Sequence, residues 1–452
     1  RGGRQEGRGH ESRLAVGRPW GFHGPMKSDT DFTVGTMRAQ ENISPAPGAR
    51  PMVGAAVALW LLVAPGVAQP AATDTVDPAA LREAIRLAGE YLARVCDSNG
   101  RFEYIRHPSP FVKVKPSYNM LRHAGTMYAL ADYHRWSGDA GALAAIERAA
   151  VFMRTRCLKP VEGADGALAI WSGREIDGDS GPARAKLGGA GLGLVAFTHL
   201  ERLKPGSVPS EEMAGIGRFI LFLQREDGSF VMGFTPSEGG KDADWQSLFY
   251  PGEAALGLCL LSDLDGESRW REAALRAMKY LALTRKGSTD VPADHWALIA
   301  TAQLLQGGKE AVTPEDRALL LAHARQICLG MLQNKDDTSA DPVIRGAWDT
   351  DGRTTPTAIR VEGLVAILDL VSQGDDALRQ EILKAIEAAV AFLIRSQVRD
   401  GLLAGGIPKT PKQADLAKDP TAAEIRIDYV QHALSAFLGY GRRLGLDADG
   451  RR

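Results

Sequence analysis

Cysteine is scarce in this chain. The four present among 452 residues, Cys96, Cys157, Cys259 and Cys328, form no CxxC pair and no Cys–His cluster, which excludes zinc-ribbon architectures. Net charge is scarce too. Lys+Arg 54 against Asp+Glu 55 leaves a formal −1, so nothing in the charge calls for nucleic acid or an acidic membrane surface as partner. Histidine is limited to nine residues, with no HxH or HExxH pair to suggest a metal site. What remains is ordinary for a globular protein, 44% hydrophobic and 24% charged, with fifty glycines that fall largely in loops and early in apolar helices.

Residues 1–51 are rich in Gly, Pro and Arg and read as a disordered or non-native leader. Met52–Val67 (MVGAAVALWLLVAPGV) is an uncharged apolar run, too short for a comfortable span and closed by small residues around Ala68. It reads as a secretory signal over 52–68, with an uncleaved membrane anchor as the alternative. Export to the periplasm or beyond is therefore expected. Residues 69–76 are a linker.

From Asp77 onward helical periods dominate. The recurring unit is an amphipathic helix, a DG-type turn into a short extended piece, and a small, apolar second helix. The amphipathic helices are expected at Ala80–Cys96, Ala142–Cys157, Glu211–Gln224, Arg269–Thr284, Pro314–Gln333 and Ala377–Gln397. The second helices begin near Ser117, Lys186, Phe249, Ala293, Ala358 and Ile427. Matching positions at their starts are Arg122, Lys186, Tyr250, His295, Arg360 and Tyr429, spaced by 64, 64, 45, 65 and 69 residues. Internal repetition of this kind means an array, and six helix pairs can close into a ring that needs no polar end caps. The expected architecture is all-α: one (α/α)6 toroid over 77–445, apolar helices inside and charged helices outside, with a disordered tail at 446–452. Cys96 and Cys157 would close equivalent helices in consecutive repeats, where a disulfide is conceivable if the compartment is oxidising.

Gln224-Arg225-Glu226-Asp227-Gly228-Ser229-Phe230, followed some twenty residues later by an apolar helix, resembles the repeats of the terpenoid cyclase and protein prenyltransferase toroids. Gln397 with Asp400-Gly401-Leu402 is a second copy. The resemblance covers the repeat region and implies the toroid. It does not extend to the chemistry of those families. Terpene cyclases of this shape would carry DxDD or DDxxD, whereas the nearest segment here is Asp242-Ala243-Asp244-Trp245. The Asp, Cys and His zinc set of prenyltransferases and the Cys-His-Gly segment of lanthionine cyclases are both missing. Pro251-Gly252-Glu253-Ala254 lacks the cysteine of a complement-type thioester. In residue chemistry the chain is more similar to carbohydrate-active (α/α) barrels: glycoside hydrolases, uronate lyases and glucuronyl C5-epimerases.

In such a toroid the inner-helix N-termini collect at one end of the ring, where free N–H groups and dipoles favour anionic ligands. The acid–base candidates delivered there are Glu253, Glu362, Asp294, His123 and Tyr250. The binding candidates are Tyr118, Arg122, Lys186, Trp245, His295, Trp296, Arg360, Asp428, Tyr429 and His432. Three of the seven histidines outside the leader fall on this rim. A hydrolase needs two carboxylates about 5–9.5 Å apart. A lyase or epimerase needs a cation for a uronate and a Tyr or His for the C5 proton. No metal or cofactor is expected, because His123, His295 and His432 come from repeats one, four and six, which are not ring neighbours. The expected function is an exported enzyme acting on a polysaccharide or oligosaccharide. The alternatives are a non-catalytic glycan- or protein-binding toroid and an isoprenoid-type cyclase. Several groups have plain structural explanations: an N-cap for Asp294, a dipole-favoured first-turn carboxylate for Glu253, packing for the tryptophans and for either Arg122 or His123.

Overall fold

The computed structural model describes residues 75–448, apart from 115–116, 179–180, 243–244, 307–311 and 413–418. The leader, the apolar segment 52–68 and most of the linker lie outside the described residues, as does part of the acidic segment at 242–245. No helix among the described residues is long and apolar enough to cross a membrane.

Twelve helices of twelve residues or more follow one another among the described residues, and they are introduced here in pairs. Helices α1 (Pro78–Arg94) and α2 (Met120–Ser137) make the first pair; α3 (Ala140–Phe152) and α4 (Leu187–Leu203) the second. Then come α5 (Ser210–Leu223) with α6 (Tyr250–Asp265), and α7 (Ser268–Arg285) with α8 (His295–Gln306). The last are α9 (Pro314–Gln333) with α10 (Thr354–Val371), and α11 (Asp376–Ser396) with α12 (Ile427–Arg443). The even-numbered helices pack in the order α2, α4, α6, α8, α10, α12 and back to α2, so the inner ring closes. The expected (α/α)6 toroid is the fold.

Each position in the ring follows from the residues. Along α1, Leu81, Ala84, Ile85, Ala88, Tyr91 and Leu92 form a buried stripe, while Glu83, Arg86 and Glu90 pair with one another at the surface. Asp77 caps the helix and Pro78 starts it, as their order in the sequence predicts. Inner helix α4 has no polar face: every residue from Leu187 to Leu200 is buried. Its glycines set the spacing. A Cβ on Gly191 would lie 2.6 Å from the backbone nitrogen of Ala254, so α4 and α6 approach more closely than side chains permit.

The turns between outer and inner helices explain the Gln-x-x-Asp-Gly segments. Gln224 donates from Nε2 to the carbonyl of Ala273 on α7 at 2.9 Å, and Gly228, at φ +89°, sits where a Cβ would meet the carbonyl of Arg276. Gln397 does the same across the chain ends, donating to Ala84 of α1 at 3.0 Å. Here the expected register is corrected. Gly401 has open space around it, and the glycine seated against α1, under the carbonyl of Leu87, is Gly405. Strand β1 (Ile105–Arg106) pairs antiparallel with β7 (Ile425–Arg426), a second tie between the first and last repeats.

The loops of repeats two and three build an antiparallel five-stranded sheet. Its strands are β2 (Leu158–Pro160), β3 (Leu168–Ser172), β4 (Arg184–Lys186), β5 (Gly233–Thr235) and β6 (Gly240–Lys241). Because β4 runs straight into α4, and β7 into α12, both sheets sit at the end of the ring that carries the inner-helix N-termini. The packed chain runs past 445: Leu446 is buried and Asp447 accepts a bond from Arg82, so the disordered tail expected from 446 is not seen at 446–447. All four cysteines are free and buried. Cys96 contacts the carbonyl of Ala145 and Cys157 the sulfur of Met120, and no disulfide joins them.

Candidate active site

Three inner helices bring the central cluster together. His295 opens α8, Glu362 lies in the third turn of α10, and His432 in the second turn of α12. Nδ1–H of His432 donates to Oε1 of Glu362 at 3.0 Å, and the His295 and His432 rings meet edge to face with centroids 5.8 Å apart. Repeats four and six thus touch across the ring, with repeat five between them. The expectation that their histidines stay apart is overturned, because the inner ring is narrow enough for side chains to cross it. His295 is also packed by Phe249 and Trp296, each at 5.0 Å, yet neither of its ring nitrogens has a hydrogen-bond partner. Oε2 of Glu362 and Oε2 of Glu253 are likewise buried without partners.

Burial shapes the charges here. It raises the Glu253 carboxyl well above the ordinary range, and the Asp294 carboxylate adds to the effect, so the site favours the protonated form of Glu253. Burial also raises Glu362, opposed by His432. His295 is driven well below its usual range, first by burial and then by His432 and Arg360, and is a neutral imidazole. Glu253 stands in the first turn of α6 against α4, where a Cβ on Gly188 would collide with both its carboxylate and the Tyr250 ring. The glycine at 188 makes room for the acid.

A second group flanks this centre. Arg122 of α2 pairs with Asp428 of α12 at 3.1 Å and donates to the Tyr104 hydroxyl. Arg426, which the sequence reading passed over, binds Asp428 from the other side at 2.6 and 3.0 Å and lies over the Tyr429 ring at 4.5 Å. Burial alone would raise the Asp428 carboxyl, but the two guanidinium groups outweigh it and hold it at about 2. Toward repeats two and three, Trp245 is partly exposed. Arg184 and Lys186 approach its ring at 5.5 and 5.8 Å, and Tyr250 meets it edge-on at 5.4 Å.

Five expected members have other partners. His123 is fully buried between helices: Phe102 N–H donates to the Tyr118 oxygen, Tyr118 O–H to His123 Nδ1 at 2.8 Å, and His123 Nε2–H to the Ala149 carbonyl at 3.1 Å. Every proton in that chain is used, so His123 and Tyr118 are structural groups with nothing left for a substrate. Asp294 is committed as well, capping α8 through Ala297 N–H at 3.0 Å and pairing with Arg285 at 2.9 Å. Arg360 turns to the carbonyl of Pro356, beside Trp348. Trp296 is buried by packing, its ring near Tyr128 and His295.

At the opposite end of the ring a cavity of about 350 Å³ is lined in part by Tyr128, Arg135, His199, Arg202 and Gln303. Its cations are matched by carboxylates, Arg135 by Asp132 and Arg202 by Asp263. The unpartnered buried atoms of Glu253, His295 and Glu362 stand toward the other end, and the candidate site is placed there.

The fold is an (α/α)6 toroid with a buried cluster of titratable side chains toward the inner-helix N-termini. No family model and no curated protein matches the chain in sequence. Solved structures do match in shape. D-mannose isomerase aligns with TM-score 0.58 at 12% identity, covering 81% of this chain and 97% of that one. A sugar epimerase from a ruminal bacterium gives 0.57 at 11%, covering 82% and 99%. An unsaturated glucuronyl hydrolase specific for heparin gives 0.52 at 11%, covering 82% and 100%. At such identities the likeness shows the fold alone.

Proposed function

We propose that the chain is a carbohydrate-active enzyme that moves a proton at a sugar carbon next to a carbonyl, as an epimerase or isomerase does. The observation that carries this reading is the His432–Glu362 pair facing the unpartnered His295. A carboxylate on Nδ1 fixes the imidazole's tautomer and orientation and leaves Nε2 as the base. Glu253, whose carboxyl burial raises above its usual range, is the candidate acid, able to return a proton or to neutralise charge growing on an oxygen. Arg122 and Arg426, which share Asp428, and Lys186 beside Trp245 supply positive charge suited to an enediolate or a uronate, and Trp245 offers a ring face for a sugar. Imidazole bases favour C–H proton transfer over glycoside hydrolysis, which relies on two carboxylates. We read the protein as exported, on the apolar segment Met52–Val67.

The test is incubation of the purified chain in heavy water with free aldoses, reducing disaccharides and uronate oligosaccharides, followed by NMR and mass spectrometry. Deuterium at C2 of an aldose, or at C5 of a uronate, is the expected result. Release of new reducing ends without exchange would replace the reading with a hydrolase, and silence on every substrate would sink it.

A further inference from the structure

The same three side chains raise a question that proton transfer leaves open. His295 is 1% exposed and both of its ring nitrogens lack partners, as does Oε2 of Glu362. A neutral imidazole always presents one N–H donor and one acceptor. Leaving such buried groups unpaired is unfavourable. Side-chain packing does not supply the missing partner, since the neighbours of His295 are Phe249, Trp296 and the His432 ring. Something else is expected to meet these atoms.

We infer that His295, Glu362 and His432 form a binding site for a first-row divalent cation of the zinc type. Each residue offers one ligand atom, and the three atoms lie within 4.8 Å of one another. Bonds of 2.0–2.1 Å in a tetrahedron would put them roughly 3.4 Å apart, a contraction within reach of small side-chain rotations. Two imidazoles and one carboxylate are the donor set of zinc sites that keep a fourth position open. The setting favours a fixed site. Gly363 lies so close that a Cβ there would come within 2.9 Å of Cβ of His295, which holds α8 and α10 together at the ligands. His432 is the most exposed of the three side chains and provides the way in. The inference rests on this geometry and not on the sugar reading. A bound cation takes the place of the proton now shared by His432 and Glu362, and its open position is free for the vicinal oxygens of a polyol or sugar.

The experiment uses the full chain, stripped with EDTA and titrated with Co²⁺ alone, read by visible absorption and equilibrium dialysis. One equivalent per chain is expected, with the intense bands of four-coordinate Co²⁺, displaced by one equivalent of Zn²⁺. His295→Gln and Glu362→Gln are each expected to weaken binding at least 100-fold. Glu253→Gln, outside the ligand set, retains the stoichiometry and the bands. Circular dichroism checks that each variant folds, and His432→Gln stands in for either that does not. No binding, or binding that survives both ligand substitutions, would overturn the site. Sugar exchange by the EDTA-stripped chain is scored separately. Exchange without any metal bound leaves the proton-transfer reading standing, and Co²⁺ binding without exchange on any substrate removes that reading and keeps the site.

Discussion

His432 reaches across to Glu362 and donates Nδ1–H to its carboxylate at 3.0 Å, joining two inner helices through residues seventy positions apart. The contact orients the imidazole and fixes its tautomer, a service a general base needs from a carboxylate. Glu362→Gln keeps the shape and removes the charge. Its exchange rate is expected to fall about 10²–10⁴-fold with KM changed much less, because the loss belongs to the transition state. His432→Gln should do the same. The double variant should cost little more than either single change, since both break one unit. Additive losses, measured as initial rates of deuterium incorporation, would mean that the two side chains act separately.

His123 carries the opposite kind of prediction. Burial pulls its imidazole down to about 4 from the usual 6.5, so the unfolded chain binds a proton that the folded chain refuses. Between those two values the unfolded state holds more protons, and stability falls as pH drops through that window. The loss from this one residue is on the order of 3 kcal/mol by pH 4. Asp428 acts in a lower window: held at about 2, it contributes stability above pH 4 that is lost toward pH 2. Urea denaturation from pH 7 to 4 should show the first loss. His123→Gln should flatten it by about one proton, with His199, also buried and drawn down to about 4, supplying part of the remainder. A profile unchanged by the substitution would mean that His123 titrates normally.

The contrast between these two histidines shows what the sequence could and could not disclose. Repeat spacing located the six inner-helix starts, and with them Glu253, His295, Glu362 and His432, because helical period and loop length are local properties. Arg122 and His123 are adjacent, and which of them faces the ring centre depends on the rotation of α2, which Phe102, Phe152 and Ala149 set by packing. Asp294 precedes the first turn of α8, where capping is the ordinary use of an aspartate, and Arg285 completes its commitment. Gly405 was missed in favour of Gly401 because a DG pair signals a turn, whereas the need for glycine comes from the α1 carbonyl pressed against it. Arg426 was legible in part: it stands two residues before Asp428, on the strand that leads into α12.

Gly188 is the place where fold and site share one residue. Its α-carbon faces the Glu253 carboxylate and the Tyr250 ring so closely that Gly188→Ala must displace both. The carboxylate is the freer end, so the helix pair should survive with a loss of about 1–3 kcal/mol. The acid, pushed off its position, should lower the exchange rate at least tenfold. Substitution at Gly189, where the nearest atom stands at 3.7 Å, serves as the neighbouring control and should leave the rate within about twofold. Equal effects at both positions would show that helix propensity, and not the acid's room, explains the glycines.

The ring has a seam, and Gln397 sits on it. Gln224 and Gln397 make the same bond to the next outer helix, but Gln224 has more: its Oε1 accepts from Arg276 at 2.8 Å, while Oε1 of Gln397 is buried without a partner. Gln397→Ala therefore removes the donor bond to Ala84 and a poorly satisfied acceptor together, and should cost about 1 kcal/mol. Gln224→Ala removes the donor bond to Ala273 and an exposed contact with Arg276 that water replaces, so it should also cost about 1 kcal/mol. The consequences differ in place more than in size. In a linear array a lost contact loosens its neighbours. In a closed ring, loss at the seam also frees the two ends, held otherwise by β1 on β7 and by Ile427 N–H on the Tyr104 carbonyl at 3.1 Å. Hydrogen exchange should then rise in α1 and in 425–427 for Gln397→Ala, and in α5 and α7 for Gln224→Ala, with α1 unchanged. If Gln397→Ala loosens α11 alone, the seam is held by the strands and the inner helices, and closure owes nothing to the glutamine.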